Sequence, residues 1–132
     1  MKCNSKLEEL VDILSYLEHE LEEVDAPIKV AVAMDIAVEE MYVNICHYAY
    51  EQDDIGGPSE VNVTTTPNSV EVEFIDWGKE FNPLEKADPD VTLDAEDRNI
   101  GGLGIFMVKK SMDEVSYRRD GDKNVFVMKK TW

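Results

Sequence analysis

Val61-Asn62-Val63-Thr64-Thr65-Thr66 and Val70-Glu71-Val72-Glu73-Phe74-Ile75-Asp76 are two β-branched, alternating runs separated only by Pro67-Asn68-Ser69. Alternation with period two and so short a turn predict strands over 61–66 and 70–76 joined as an antiparallel hairpin. Upstream, Ile55-Gly56-Gly57-Pro58 reads as a turn, and before it the period changes to that of a helix. Residues 28–50 (Ile28, Ala31, Val32, Ile36, Val38, Met41, Tyr42, Ile45, Cys46, Ala49) are apolar around more than half a helical circumference, which predicts a largely buried helix. Its polar members Asp35, Glu39, Glu40 and Asn44 then need partners. A first helix is expected over 7–24, with a seam of Leu7, Leu10, Leu14, Leu17, Leu21 and Val24 widened by Val11, capped by Asn4 or Ser5. That seam is read as core packing in preference to a dimer contact. Asp25-Ala26-Pro27 separates the two helices, proline suiting a helix's first turn.

Downstream of the hairpin, residues 77–100 carry no periodicity but contain Pro83, Pro89 and an acidic excess, as a functional loop would. Gly101-Gly102-Leu103-Gly104 opens a short helix over 105–112, and strands over 114–118 and 125–130 flank Asp120-Gly121-Asp122. The order α α β β loop α β β predicts an α+β fold: a two-layer sandwich with helices on one face of a mixed, mostly antiparallel sheet.

The chain has 132 residues, suiting one domain over 1–132, and 13 Lys and Arg against 29 Asp and Glu give a net charge of −16. Such a surface repels nucleic acid and anionic lipid. A 43% hydrophobic content excludes an acidic disordered chain. The start lacks a secretory h-region and no apolar run approaches a membrane span, so a cytoplasmic location is expected. Cys3, at an N-terminus expected to be mobile, and Cys46 are read as free thiols, and neither they nor His19 and His47 form a metal-ligand spacing.

Three features point to one site. Glu40 and Asn44, one turn apart, share a helix face and offer a carboxylate for proton abstraction and an amide oxygen for a hard cation. Asp76-Trp77-Gly78 ends a strand, its carboxylate able to accept an amine proton and its glycine allowing close approach of a flat ring. Gly102-Leu103-Gly104 starts a helix, where free N–H groups suit phosphate. Trp77 and Phe81 either line the pocket or anchor the first turn of the 77–100 segment. Glu39 points about 100° away from Glu40 around the helix and is read as an ordinary surface carboxylate.

Glu40-Met41-Tyr42-Val43-Asn44-Ile45 with Tyr48-Ala49-Tyr50, then Asp76-Trp77-Gly78-Lys79-Glu80-Phe81-Asn82-Pro83, then Gly101-Gly102-Leu103-Gly104-Ile105, resemble the N, G1 and G2 boxes of the GHKL ATPases (gyrase, chaperone and histidine kinase), and most closely the anti-sigma-factor serine kinases. The resemblance spans about residues 28–130. It implies a Bergerat-type fold with ATP between helices and sheet under a lid over 77–100. It implies that Asn44 helps hold Mg²⁺, that Glu40 is the catalytic base, and that Asp76 binds the adenine amino group. Gly78 and Phe81 then fall on the adenine side, and Gly102, Leu103 and Gly104 on the phosphate side. It further implies a homodimer whose partners are an anti-anti-sigma (STAS) protein, phosphorylated on serine, or a sigma factor. A module that holds ATP and sequesters its partner without catalysis would carry the same boxes. The sequence departs from the family in Glu80, where a second glycine is common, and in His47, where arginine is frequent. It also has no basic residue in the glycine turn, leaving Arg98, Lys109 and Lys110 as phosphate contacts, and no strand is legible before the first helix.

Overall fold

The computed structural model describes residues 1–50, 56–85 and 102–132. The hairpin forms as the alternation requires: β2 (Ser59–Thr66) and β3 (Ser69–Asp76) pair antiparallel, Val61 opposite Phe74 and Val63 opposite Val72. The last two strands, β4 (Glu114–Asp120) and β5 (Lys123–Thr131), form a second hairpin. Its turn places Gly121 at φ +61°, a conformation that glycine adopts without strain. β5 then pairs with β3, so the order across the sheet is β1-β2-β3-β5-β4 and the described pairings are antiparallel.

The strand β1 (Lys2–Cys3) corrects the expectation that none precedes the first helix. Lys2 and Cys3 pair with Glu60 and Ser59, and Cys3 is buried instead of lying on a mobile end. Two residues are too short for periodicity to reveal; pairing along the edge of β2 creates the strand. Both Cys3 and Cys46 are free thiols, and burial pushes each up to about 11, favouring the protonated form.

Three helices, α1 (Leu10–Glu23), α2 (Ile28–Tyr48) and α3 (Gly102–Ser111), cover the sheet, α2 packing against both others. The entry to α1 is not capped by Asn4 or Ser5. The Glu9 carboxylate, after a 3-10 turn at Leu7–Glu9, instead accepts the N–H groups of Asn4 (2.8 Å) and Lys6 (3.3 Å). The core side of α1 is Ile13, Leu17 and Leu21, whereas Leu7 and Val11 are exposed. Leu10, Leu14, Leu17 and Leu21 of the expected seam therefore lie in or against the core, Ile13 joins them at a spacing of four from Leu17, and the seam falls short at Leu7 and Val11. Asp25 ends α1 in the left-handed region (φ +52°), with Ala26 N–H donating to Leu21 O at 3.0 Å. Pro27 then sits just before α2.

α2 is less buried than its composition predicted. Val30, Met34, Ala37, Val38, Met41, Tyr42 and Ile45 enter the core with Val70, Val72, Phe74 and Met128 of the sheet, but Ile28, Val32 and Ile36 are exposed by 83, 51 and 55%. A helix resting on a sheet between two neighbours still keeps one face outward, and these three residues occupy it. No helix among the described residues is long and apolar enough to cross a membrane.

Candidate functional site

The C-terminal half of α2, the ends of β3 and β5, and the chain after β3 enclose a cavity lined by Met41, Asn44, Ile45, Ala49, Asp76, Phe81, Pro83, Tyr117, Asn124 and Phe126. Helical spacing puts Asn44 on the buried face, where its Nδ2 donates to the carbonyl of Glu40 one turn back at 2.6 Å. That bond fixes the amide plane, and the Asn44 Oδ1 atom accepts no hydrogen bond from the described residues. Glu40 is half-buried and Glu39 exposed, as the 100° between them requires.

Asp76 is buried at the last position of β3. Its Oδ1 accepts hydrogen bonds from Gly78 N–H (3.0 Å) and Asn124 Nδ2 (2.8 Å), while Oδ2 accepts none from the described residues. Burial raises the carboxyl above the usual carboxylate range, against the opposing pull of Asn124, Gly78 and the Arg119 charge. An oriented acceptor oxygen is left for a ligand donor such as an exocyclic amine.

Asn124 was not singled out from the sequence. It lies opposite Asp76 in the β3–β5 register, and Asn124, Phe126 and Met128 share the inward parity of β5. That parity is the signal in the sequence that would have flagged a buried polar group. Its Nδ2 donates to Asp76 and to the carbonyl of Lys79 (2.8 Å). Its Oδ1 accepts from Tyr117 hydroxyl (2.5 Å), Arg119 Nη1 (3.2 Å) and Phe81 N–H (3.3 Å). Arg119 also donates to the Gly78 carbonyl at 2.9 Å, so one asparagine and one arginine hold the chain that leaves β3.

Phe81 stacks on Tyr48, ring centroids 5.0 Å apart and planes 18° from parallel, and lines the cavity. Trp77 does not line it; its N–H donates to the Tyr50 hydroxyl at 2.9 Å. Gly78 has a use in the packing as well. A Cβ there would collide with the carbonyl of Ala49, so the missing side chain lets the strand exit pass the end of α2. At Gly104 a Cβ would strike the Glu40 carboxylate, which brings the glycine turn at the start of α3 against the helix pair Glu40 and Asn44. Three sequence-distant motifs thus converge around α2. Gly102 and Leu103 open α3, while Lys109 and Lys110 stand in its last turn, about 8 Å or more along the axis from Gly104. Lys110 lies over the Phe106 ring at 5.5 Å. Arg98 and most of the expected lid lie outside the described residues, which resume the 77–100 segment only as far as a 3-10 turn at Pro83–Glu85.

No cluster of three or more His, Cys, Asp or Glu side chains that could hold a metal occurs among the described residues. The donor set fits Mg²⁺ on other terms. Asn44 Oδ1 is a hard oxygen ligand held in place, and an octahedral ion bound through one such ligand completes its shell with phosphate oxygens and water.

The serine-protein kinase RsbW of Bacillus licheniformis is 28% identical over 102 residues, covering 73% of this chain. The match takes in 62% of that kinase, so the chain corresponds to less than two thirds of its length. Residues 3–130 match the histidine kinase-like ATPase domain, a span that takes in Cys3 of β1 and all of α1 as well as the three boxes, and the chain belongs to that family.

Proposed function

We propose that the protein binds Mg-ATP in the cavity beneath α2 and acts as a regulator of the anti-sigma kinase type, transferring the γ-phosphoryl group to a serine of a protein partner. The contact between Gly104 and the Glu40 carboxylate, with the oriented Asn44 amide one turn away, carries this reading. In it, Asp76 Oδ2 accepts the adenine amino proton, and Phe81 on Tyr48 walls the base. The N–H groups at the start of α3 receive phosphate, and Asn44 Oδ1 contributes to Mg²⁺. Bound Mg²⁺ supplies neutralisation of phosphate charge within a chain of net charge −16. Glu40, whose carboxylate accepts no hydrogen bond from the described residues, takes the proton of the serine hydroxyl as its oxygen bonds to the γ-phosphorus and the bond from that phosphorus to the β–γ bridging oxygen breaks, releasing ADP. The similarity to a serine-protein kinase supports the chemistry, and an anti-anti-sigma protein or a sigma factor is the partner class this reading names. Homodimeric assembly and a cytoplasmic location belong to the same proposal.

The Glu40→Gln variant tests it. With Glu40→Gln, Mg-ATP still raises the melting temperature, while phosphate transfer to an anti-anti-sigma substrate falls by roughly the 10²–10⁴-fold that general-base removal costs. Equal transfer by both proteins removes Glu40 from the chemistry. Thermal protection by Mg-ATP without transfer in the wild type identifies a nucleotide-holding module instead.

A further inference from the structure

A second groove lies at the other end of α2. Its walls are Glu18, Leu21 and Glu22 of α1 and Ile28, Ala31, Val32 and Asp35 of α2, with Ala26 between them. Two physical demands meet in it. The first is apolar: Ile28, Val32 and Ile36, spaced by four along one face, remain largely exposed. Such a contiguous apolar strip on a strongly charged protein marks a contact surface. The second is electrostatic. The Asp35 Oδ1 atom is shut off from water and accepts no hydrogen bond from the described residues, while the carboxyl shares a hydrogen bond with Glu18 and feels the charges of Glu18 and then Glu39, both acids. Burial and those neighbours push the Asp35 carboxyl up to about 6. Two carboxyl groups held together on a half-buried face repel each other once both are ionised, and a cation placed between them relieves that repulsion. No lysine or arginine lines the groove.

We propose that this groove docks a helix of a protein partner, the helix laying an apolar face on Ile28, Val32 and Ile36 and seating one Lys or Arg between Asp35 and Glu18. The apolar spacing of four matches the ridge of an incoming helix, and the acids flanking it select a basic one. A second copy of the chain is a poor occupant, because two surfaces carrying Glu18, Glu22, Asp35 and Glu39 would bring like charges together. The surface lies on the N-terminal half of α2, away from Asn44, and its use does not depend on nucleotide chemistry.

The probe is a synthetic amphipathic helical peptide of leucine and lysine, with a leucine–glutamate peptide as control, titrated into the isotopically labelled full chain and followed by amide chemical shifts. The expected result is binding of the lysine peptide, with shifts concentrated over residues 18–36 and no binding of the glutamate peptide. Asp35→Asn, which removes the charge at constant size, and the exposed double substitution Ile28→Ser/Val32→Ser each weaken binding about tenfold, as loss of one central contact does. Because those side chains are solvent-facing or isosteric, both variants keep the wild-type spectrum elsewhere. Affinity unchanged in both variants, or shifts spread evenly over the acidic surface, overturns the proposal. So does self-association in sedimentation that Ile28→Ser/Val32→Ser abolishes, which makes a second copy the occupant. Thermal protection by Mg-ATP is measured on the same samples: its loss with peptide binding intact counts against the nucleotide site alone, and the converse against the groove alone.

Discussion

Replacing Asn124 by alanine tests whether one side chain organises the Asp76 end of the cavity. Asn124 is 4% exposed, and the substitution removes two donated and three accepted contacts at once. The bond to the Asp76 carboxylate is charge-assisted and is worth about 1.5–3 kcal/mol. Phe81 N–H, the Lys79 carbonyl and the Tyr117 hydroxyl belong to half-buried or exposed residues that water reaches in part, and together they add about 1–2 kcal/mol. A loss of about 3–5 kcal/mol is expected, and at roughly 3–5 °C per kcal/mol for a chain of this size the melting temperature falls by about 10–20 °C. The assay is urea unfolding at equilibrium, with a lower midpoint and an unchanged slope. Tyr117→Phe removes only one of these bonds and costs about 1 kcal/mol, and a cycle combining Asn124→Ala with Asp76→Asn isolates the direct pair. Asn124→Ala within about 0.5 kcal/mol of wild type would refute the argument that this asparagine is the hub.

Gly104→Ala forces a methyl group against the Glu40 carboxylate and is expected to weaken Mg-ATP protection against thermal unfolding at least tenfold in apparent affinity; adding Glu40→Ala, which vacates that space, restores part of it. Asp35 has a folded-state pKa raised to about 6, so the folded form binds its proton more tightly than the unfolded chain does. Its ionisation therefore costs stability, a cost that builds up between the unfolded carboxylate value and about pH 6 and is complete above it; acidification from pH 7 to 5 recovers part of that cost, a gain that Asp35→Asn abolishes in melting curves. Glu9 behaves in the opposite sense. Although burial raises its pKa, hydrogen bonds from Asn4, Lys6 and Tyr42 prevail and hold it below the usual range. Its contribution is present above the unfolded carboxylate value and is lost as pH falls through the folded one, so Glu9→Gln flattens the acid limb of the same curves.

The hairpin from β2 to β3 was legible because alternation, β-branching and a short polar turn all agree, and the same agreement marked β4 and β5. Agreement failed in the helices. Leu7, Val11, Ile28, Val32 and Ile36 are apolar by identity, and periodicity cannot tell a face turned to the sheet from one turned outward when both satisfy the same spacing. β1 escaped because two residues carry no period at all. Glu40, Asn44, Asp76 and Gly104 could be read as one set only from their chemistry and from the family resemblance, and the fold does bring them around α2. Tyr117 and Arg119 could not be read in that way. Their places depend on the β3–β5 register and on the path of the chain after Asp76, which no local pattern encodes. Asn124 stood between these cases: a polar residue on the inward parity of an apolar strand is a local signal, but its partner lies 48 residues away.

The strand order also bears on when the site comes into existence. β5, which follows the other four described strands in the chain, occupies an interior position between β3 and β4, and Asn124 reaches Asp76 only once that strand is in place. A chain growing from its N-terminus can form the β2–β3 hairpin and lay α1 and α2 upon it, yet β3 keeps one open edge and Asp76 has only the Gly78 N–H as a donor until β5 pairs with it. Closing that edge is a long-range event and slow relative to the local hairpin. Under the proposed function, nucleotide recognition at Asp76 follows the pairing of β5, because a chain in which that strand is not yet placed lacks the Asn124 contact that orients the carboxylate.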